Sequence, residues 1–182
     1  FKAWAAEKIE QGTPLAIGQH GGVYGVGLWF FLEEHDLLIS DCYFSWGWSK
    51  LGHDNIKPVG ILDKVDSRKI LHEERKSALL VTATVPKLSY FMYSGMVSRQ
   101  WLDYFKDQCS FIESLPAEIQ KALVVRLYPN DHGWDQQSRW HDLFPELKFD
   151  NGNSDIGSLI EKCRIYISTY NSTTFLESIA MN

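Results

Sequence analysis

The chain has 182 residues, 45% of them hydrophobic and 23% charged, with a formal net charge of −5. That length suits one domain, or one and a half, with a substantial apolar core. The acidic balance and the lack of any Lys/Arg run argue against a general nucleic-acid binder, although single Arg residues and helix N–H groups can hold a small anion in an acidic protein.

In chain order, apolar spacing predicts a helix over residues 1–11, stopped by Gly12 with Pro14 beyond. Residues 15–18 are a short apolar run, read as a buried strand leading into Gln19-His20-Gly21-Gly22. Residues 23–35 have helical spacing despite Gly25 and Gly27. Residues 36–41 look like a second buried strand, opening into a loop over 42–52 that carries Ser45-Trp46-Gly47-Trp48. Residues 57–62 are a third short strand, and the charged stretch 63–76 is a helix or linker. The domain boundary is expected here, with residues 1–70 as the end of one domain and 71–182 as a second.

The second part reads as a strand over 78–85, a helix over 97–113 and a strand over 122–127 closed by Tyr128-Pro129-Asn130-Asp131. A helix over 136–143, a strand over 147–149, a helix over 155–162 with Asp155 near its start, a strand over 164–168 and a helix from Ser172 follow. Short apolar strands alternating with amphipathic helices imply parallel βαβ units and an α/β fold. Such sheets bind ligands beyond the carboxyl ends of their strands, so the loops there are the places to look.

Cys42, Cys109 and Cys163 lie far apart without a CxxC pair, which removes a zinc-ribbon or thioredoxin reading. An odd, sparse set suits a reducing cytoplasm, each thiol packed as a small hydrophobe. Apolar runs such as 28–32 and 78–81 are far too short to cross a bilayer. The chain opens on Phe1-Lys2-Ala3-Trp4 inside one helical pattern and closes inside another, so it is expected to be a piece of a longer protein.

Four loops can carry chemistry. The strand ending at Ser168 runs into Thr169-Tyr170-Asn171-Ser172-Thr173-Thr174, with Glu177 a turn further on. A helix N-terminus offers N–H groups and partial positive charge to a phosphate, Ser172, Thr173 and Thr174 add hydroxyls, and Glu177 can accept from ribose hydroxyls. The plain structural alternative is that Asn171 or Ser172 is an N-cap. Arg126, near the end of a buried strand, needs an anionic partner, either a substrate phosphate or a structural carboxylate. His132 and Trp134 follow it and can touch a base or sugar, although a Trp in such a loop is more often packing than stacking. Gln19-His20-Gly21-Gly22 lets backbone approach a ligand closely, but it is not the dinucleotide GxGxxG pattern; His20 is an acid/base or a phosphate donor, or simply a histidine satisfied by the fold. Ser40-Asp41 closes the second expected strand, where a carboxylate can act as nucleophile or base, with Trp46 and Trp48 framing a sugar site or packing their loop. Asp36, at that strand's other end, reads as structural.

These segments, in this order, resemble the GT-B superfamily of bacterial surface-polysaccharide transferases. The likeness is strongest to a family of surface-carbohydrate transferases that includes retaining β-Kdo transferases, and more distant to the CDP-glycerol glycerophosphotransferases of teichoic-acid synthesis. Gln19-His20-Gly21-Gly22 resembles the His-Gly turn at the domain junction, and Val59-Gly60-Ile61-Leu62-Asp63 the Gly-x-x-x-Asp segment before the second domain. Leu79-Leu80-Val81-Thr82-Ala83-Thr84 resembles the opening strand of that domain, and Val125-Arg126-Leu127-Tyr128-Pro129 its Val-Arg-Pro-His-Pro segment. Ile167-Ser168-Thr169-Tyr170-Asn171-Ser172 through Glu177 resembles its Thr-Asp-Tyr-Ser-Ser…Glu motif. Tyr128 stands where the glycerophosphotransferases have His, and Thr169 and Asn171 replace an Asp and a Ser, which moves the likeness toward the Kdo-type branch.

The resemblance implies a cytoplasmic, metal-independent glycosyltransferase of GT-B type with a Rossmann-like nucleotide-binding domain. The donor would be a sugar nucleotide such as CMP-Kdo, used with retention. The acceptor would be a surface polysaccharide or glycolipid, with peripheral membrane association left open. Arg126, Tyr128, His132, Ser172, Thr173, Thr174 and Glu177 would bind the nucleotide. Gln19, Gly21, Gly22, Trp46 and Trp48 would face the sugar. Asp41 would be the nucleophile, and His20 would assist the leaving phosphate. A sugar-nucleotide epimerase or polyol-phosphate transferase of the same fold, and a non-catalytic nucleotide-sugar-binding domain, are the alternatives.

Overall fold

The computed structural model describes residues 1–61, 75–88 and 96–181. The chain divides into two compact units, Phe1–Val65 and Asp66–Asn182. The boundary expected at residue 70, most of the charged stretch around it and the Leu62-Asp63 end of the Gly-x-x-x-Asp segment lie outside the described residues.

The first unit contains α1 (Lys2–Glu10), β1 (Ala16–Gly18), α2 (Phe31–Ile39), β2 (Cys42–Ser45) and β3 (Ile56–Pro58). Its strands form a parallel sheet in the order β1-β2-β3, with Ala16 beside Cys42 and Tyr43 beside Ile56. Tyr24, Leu37, Tyr43 and Ile56 make its core.

Here the sequence-based expectation fails over residues 23–45, where β2 also takes the start of the loop predicted over 42–52. The helix predicted over 23–35 is found at Phe31–Ile39, residues 21–28 are turns and bends, and the strand predicted over 36–41 is mostly the end of that helix. Four glycines among residues 21–27 explain the shift, since each costs a helix about 1 kcal/mol relative to Ala. Gly25 also has φ +77, a left-handed conformation that no α-helix contains. Glu33 and Glu34 fall in the first turn of α2, where the helix dipole favours carboxylates. The run Leu37-Leu38-Ile39 that suggested a buried strand is one-sided: Leu37 is buried, while Leu38 and Ile39 are exposed.

The second unit follows the expected alternation closely. It contains β4 (Ser77–Val81), α3 (Trp101–Ser114), α4 (Ala117–Ala122), β5 (Leu123–Arg126), α5 (Gln136–Leu143), β6 (Lys148–Asp150), α6 (Ile156–Lys162), β7 (Cys163–Ser168) and α7 (Thr173–Ala180). Only α4, a short helix behind Pro116, had no counterpart in the sequence reading. The four strands pair in parallel in the order β6-β5-β4-β7, a Rossmann-like arrangement with helices around the sheet.

Leu80, Leu123 and Val125 meet Trp101, Phe105, Ile112 and Trp140 in the main core. Trp134, for which packing and ligand contact were both open from sequence, is part of that core. Its ring stacks on Trp101 at 4.4 Å between centroids, and its indole N–H donates to the Val85 carbonyl at 2.7 Å. No helix among the described residues is long and apolar enough to cross a membrane. Cys42, Cys109 and Cys163 are free thiols, and burial pushes Cys109 up to about 11, where it stays protonated at neutral pH.

Candidate functional site

In the first unit the three parallel strands all end on one edge, and the loops after β1 and β2 meet there. Gln19, immediately after β1, is buried and clasps them together. Its Oε1 accepts from the Trp46 N–H at 2.8 Å and from the Trp48 indole N–H at 2.7 Å. Its Nε2 donates to the Gly21 carbonyl at 2.9 Å and to the Tyr24 carbonyl at 3.4 Å. A carboxamide has two donors and two acceptor sites, so Gln19 is fully engaged in shaping this edge and has no capacity left for a sugar.

Trp48 is engaged in the same way. Its indole lies where a Cβ on Gly25 would sit, with the nearest atom at 2.5 Å, so this glycine is demanded by both conformation and space. Gly21 has no such need: a Cβ there would meet only the Tyr24 ring at an ordinary 3.7 Å. Gly22 is buried beside it. Trp46 differs from Trp48, because its buried indole N–H finds no acceptor among the described residues. A buried donor left unpaired costs roughly 1–3 kcal/mol.

His20 is exposed at the same edge. Its Nε2 lies 2.9 Å from the Tyr24 hydroxyl, which donates to Asp36 Oδ2 at 3.2 Å. Burial raises the Tyr24 hydroxyl above its ordinary value, and the charge and hydrogen bond of Asp36 raise it further, so the phenol stays protonated. Asp36 is thereby linked to His20 from helix α2, a connection the strand reading of residues 36–41 had hidden.

Asp41 is not at this edge. It precedes β2 rather than closing a strand, and its Oδ2 accepts from the Leu15 N–H at 2.7 Å while its own N–H donates to the Leu15 carbonyl at 2.9 Å. The carboxylate pins the start of β1 to the start of β2, at the amino ends of the parallel strands. The position assigned to it from the sequence is therefore corrected, and the argument for Asp41 as nucleophile, which rested on a strand's carboxyl end, falls with it.

In the second unit the strand order places a topological switch between β4 and β7. From β4 the chain moves outward to β5 and β6, then returns to the far side of β4 as β7, so the carboxyl edge beside β4 is the switch point where open α/β sheets bind ligands. Tyr104, on α3, ties the segments after β4 and β7 together at that edge. Its hydroxyl accepts from the Ala83 N–H at 2.9 Å and bonds the Thr169 hydroxyl, which donates to the Val81 carbonyl at 2.7 Å. Burial raises the Tyr104 hydroxyl, so it remains a neutral link in this chain. The sequence offered no local signal for Tyr104, since the residues it joins lie at separations of 21 and 65.

Beyond β7, Ser172 is the N-cap residue of α7, but its hydroxyl makes no capping bond. It pairs instead with the Thr174 hydroxyl at 2.6 Å, which also accepts from the Tyr166 hydroxyl at 2.8 Å. Thr173 and Glu177 stand on the first turns of the same helix. Tyr170 lies in the turn between, its hydroxyl raised by burial.

Beyond β5, Tyr128 and His132 stack at 5.9 Å between centroids and 25° between planes, with Tyr128 38% exposed. His132 adopts φ +54, rare for a non-glycine residue. Asp131 fixes the turn behind them by accepting from the Asp135 and Gln136 N–H groups at 2.8 and 2.7 Å.

Arg126 does not face this edge freely. Its Nη1 meets Asp150 Oδ2 at 2.8 Å and donates to the Ser154 carbonyl at 2.9 Å, while Nη2 donates to the Gly152 carbonyl at 3.2 Å. Of the two partners open from sequence, the structural carboxylate is the one present: Arg126 holds the loop after β6.

Among the described residues no group of three His, Cys, Asp or Glu side chains is arranged to hold a metal ion. No curated protein and no solved structure matches the chain. A family model, that of the LIC12162 family transferases, matches all of it, residues 1–182. Membership fits what the fold presents, two parallel sheets with polar and aromatic side chains gathered at their carboxyl edges, and the chain belongs to the LIC12162 family of transferases.

Proposed function

We propose that this transferase is a glycosyltransferase of GT-B organisation, which takes a sugar from a cytidine sugar nucleotide of the CMP-Kdo kind and passes it to a surface-polysaccharide or glycolipid hydroxyl. The observation that carries the reading is the carboxyl edge of the second unit. An exposed Tyr128–His132 stack stands beyond β5, and a hydroxyl-rich turn leads into α7 beyond β7, on the two sides of β4. Stacked aromatic side chains suit a nucleobase. A helix start with Ser172, Thr173 and Thr174 suits a phosphate, and Glu177 on the next turn suits ribose hydroxyls.

Arg126 supports this surface from below rather than binding phosphate, because Asp150 already neutralises it. His20, in the first unit, is the acid/base in this reading. It is exposed, as contact with the leaving phosphate or the acceptor hydroxyl requires. Transfer requires no metal, the partners are small molecules and glycan rather than nucleic acid, and any contact with the membrane is peripheral.

Thermal unfolding with CMP, CDP, UDP, UMP, GDP and ADP tests the donor class. A ligand at about 100 times its dissociation constant adds roughly 2.7 kcal/mol, a rise of roughly 5–10 °C for a chain of this size. A rise with CMP alone, unchanged by EDTA, is the expected result. A rise with UDP or CDP alone moves the chemistry to an epimerase or a polyol-phosphate transferase, and no rise with any of the six overturns nucleotide binding by this chain.

A further inference from the structure

We infer that Tyr24 and Asp36 are positioning residues that fix the tautomer of His20, with Nε2 bearing the proton and Nδ1 left as its working atom. The inference rests on the proposed acid/base role of His20 and deepens that reading.

Three groups on three different segments form a hydrogen-bonded chain. Asp36 is on α2, Tyr24 is in the glycine-rich turn before it, and His20 follows β1. The Tyr24 hydroxyl lies 3.2 Å from Asp36 Oδ2 and 2.9 Å from His20 Nε2. A phenol carries one proton and an ionised carboxylate carries none. If that proton went to His20, two oxygens rich in lone pairs would face each other across the Tyr24–Asp36 contact. With the proton given to Asp36, the phenolic oxygen becomes an acceptor, and the only proton that can fill its bond to the ring is one on Nε2. The roles follow from proton count, and each bond is then satisfied.

Packing holds the arrangement in place. Tyr24 is 2% exposed, with its ring edge-on to Phe30 at 4.9 Å and stacked with Tyr43 at 6.4 Å, so the hydroxyl has little freedom to swing away. The ring of His20 meets Tyr24 edge-on at 4.9 Å, which limits rotation about its own bonds. Glu33 lies close enough for its charge to add to the field on Tyr24, yet its carboxylate is occupied by the Gly25 N–H at 2.6 Å and by Lys50 at 3.7 Å. Asp36 is thus the carboxylate that receives the phenol.

The chemical consequence concerns direction. With Nε2–H turned inward, the lone pair of neutral His20 is on Nδ1, on the other side of the ring. When Nδ1 takes a proton, from an acceptor hydroxyl in the proposed transfer, the added positive charge on the ring is shared through Nε2–H and the phenol with Asp36. The same Nδ1–H is then the donor to a leaving phosphate oxygen. A histidine oriented by a partner on its second nitrogen is a common means of holding an acid/base in one form, and here the partner is reached through a tyrosine.

The test is a long-range proton–nitrogen spectrum of the uniformly labelled protein, recorded well above the usual imidazole range so that neutral rings are observed. The His20 signals are identified by their loss in His20→Gln. The expected result is one pyrrole-like Nε2 and one pyridine-like Nδ1, widely separated. Tyr24→Phe keeps the ring contacts and removes the bridge, so the two nitrogen shifts move toward each other as the tautomers mix, with the indole signals of Trp46 and Trp48 unmoved. Asp36→Asn, which keeps the shape and removes the charge, moves them the same way. An Nδ1–H form or averaged nitrogens in the wild type overturn the assignment, as does an unchanged pattern in both variants. The readout needs no donor, so a failed nucleotide panel beside an intact signature would count against the proposed transfer and not against the relay.

Discussion

At the residue scale, two charged side chains that looked available for chemistry are spent on structure. Arg126 and Asp150 form a pair whose side chains are only 14% and 9% exposed. Asp150 further accepts from the Gly152 and Ser154 N–H groups at 3.0 and 3.3 Å, so this pair organises the whole turn after β6. Removing one partner of such a pair leaves an uncompensated charge and costs about 3 kcal/mol. Arg126→Ala is therefore expected to lower the melting temperature by roughly 6–12 °C. Any rise produced by CMP should persist in the variant, measured at the variant's own lower midpoint. A lost nucleotide effect with little lost stability would return Arg126 to the phosphate. Asp41 teaches the same lesson: its reading as a nucleophile rested on a strand ending there, and its bond to the Leu15 N–H shows that a strand is about to begin.

At the scale of elements, legibility depended on which force set each boundary. The second unit was readable because its strands are short apolar runs flanked by turn chemistry. Residues 136–143 were predicted and found as a helix, and the helix predicted over 155–162 starts at Ile156 behind Asp155, whose side chain accepts from the Ser158 N–H at 2.8 Å. In the first unit, residues 23–41 depart from their hydrophobic spacing because glycine conformation decides there. Gly25, at φ +77 and against Trp48, belongs to a turn whatever its neighbours are. The Tyr104–Thr169 latch and the His20–Tyr24–Asp36 line were not legible at all, because their hydrogen bonds join segments that only the folded sheet brings together. The turn before α5 adds a dependence on pH. Burial pushes the Asp131 carboxyl up, but the Gln136, Asp135, Gly133 and Trp134 N–H groups outweigh it and hold it below its ordinary value. A depressed folded value means that the contribution is complete above the unfolded value of about 4 and is lost as pH falls through the folded one. In melting curves from pH 6 down to pH 3, the advantage of wild type over Asp131→Asn is expected to shrink toward zero. A constant gap would show that the carboxylate's charge plays no part.

At the scale of the whole chain, the two units differ in what they bury. The first has strands of three, four and three residues and a core of Tyr24, Leu37, Tyr43 and Ile56 with a few half-buried neighbours. The second buries three tryptophans, Trp101, Trp134 and Trp140, against a four-stranded sheet. Small domains bury a smaller share of their surface and are correspondingly marginal. At about 0.1 kcal/mol per residue, a difference of about fifty residues is worth roughly 5 kcal/mol. Opening of the first unit should therefore be the easier event, and amide exchange reports it directly. In the intact chain, the amides of Tyr43 and Ile56 are expected to exchange at least about a hundredfold faster than those of Leu79 and Val125, a gap of about 2.7 kcal/mol. Equal rates would show one cooperative body instead. The experiment also bears on function. A nucleotide held at the carboxyl edge of the second sheet stabilises the unit that binds it, so saturating CMP should slow exchange at Leu79 and Val125 and leave Tyr43 and Ile56 near their free rates. Equal slowing in both units would mean that the ligand couples them, and that the edge carrying His20 responds to the donor before any acceptor arrives.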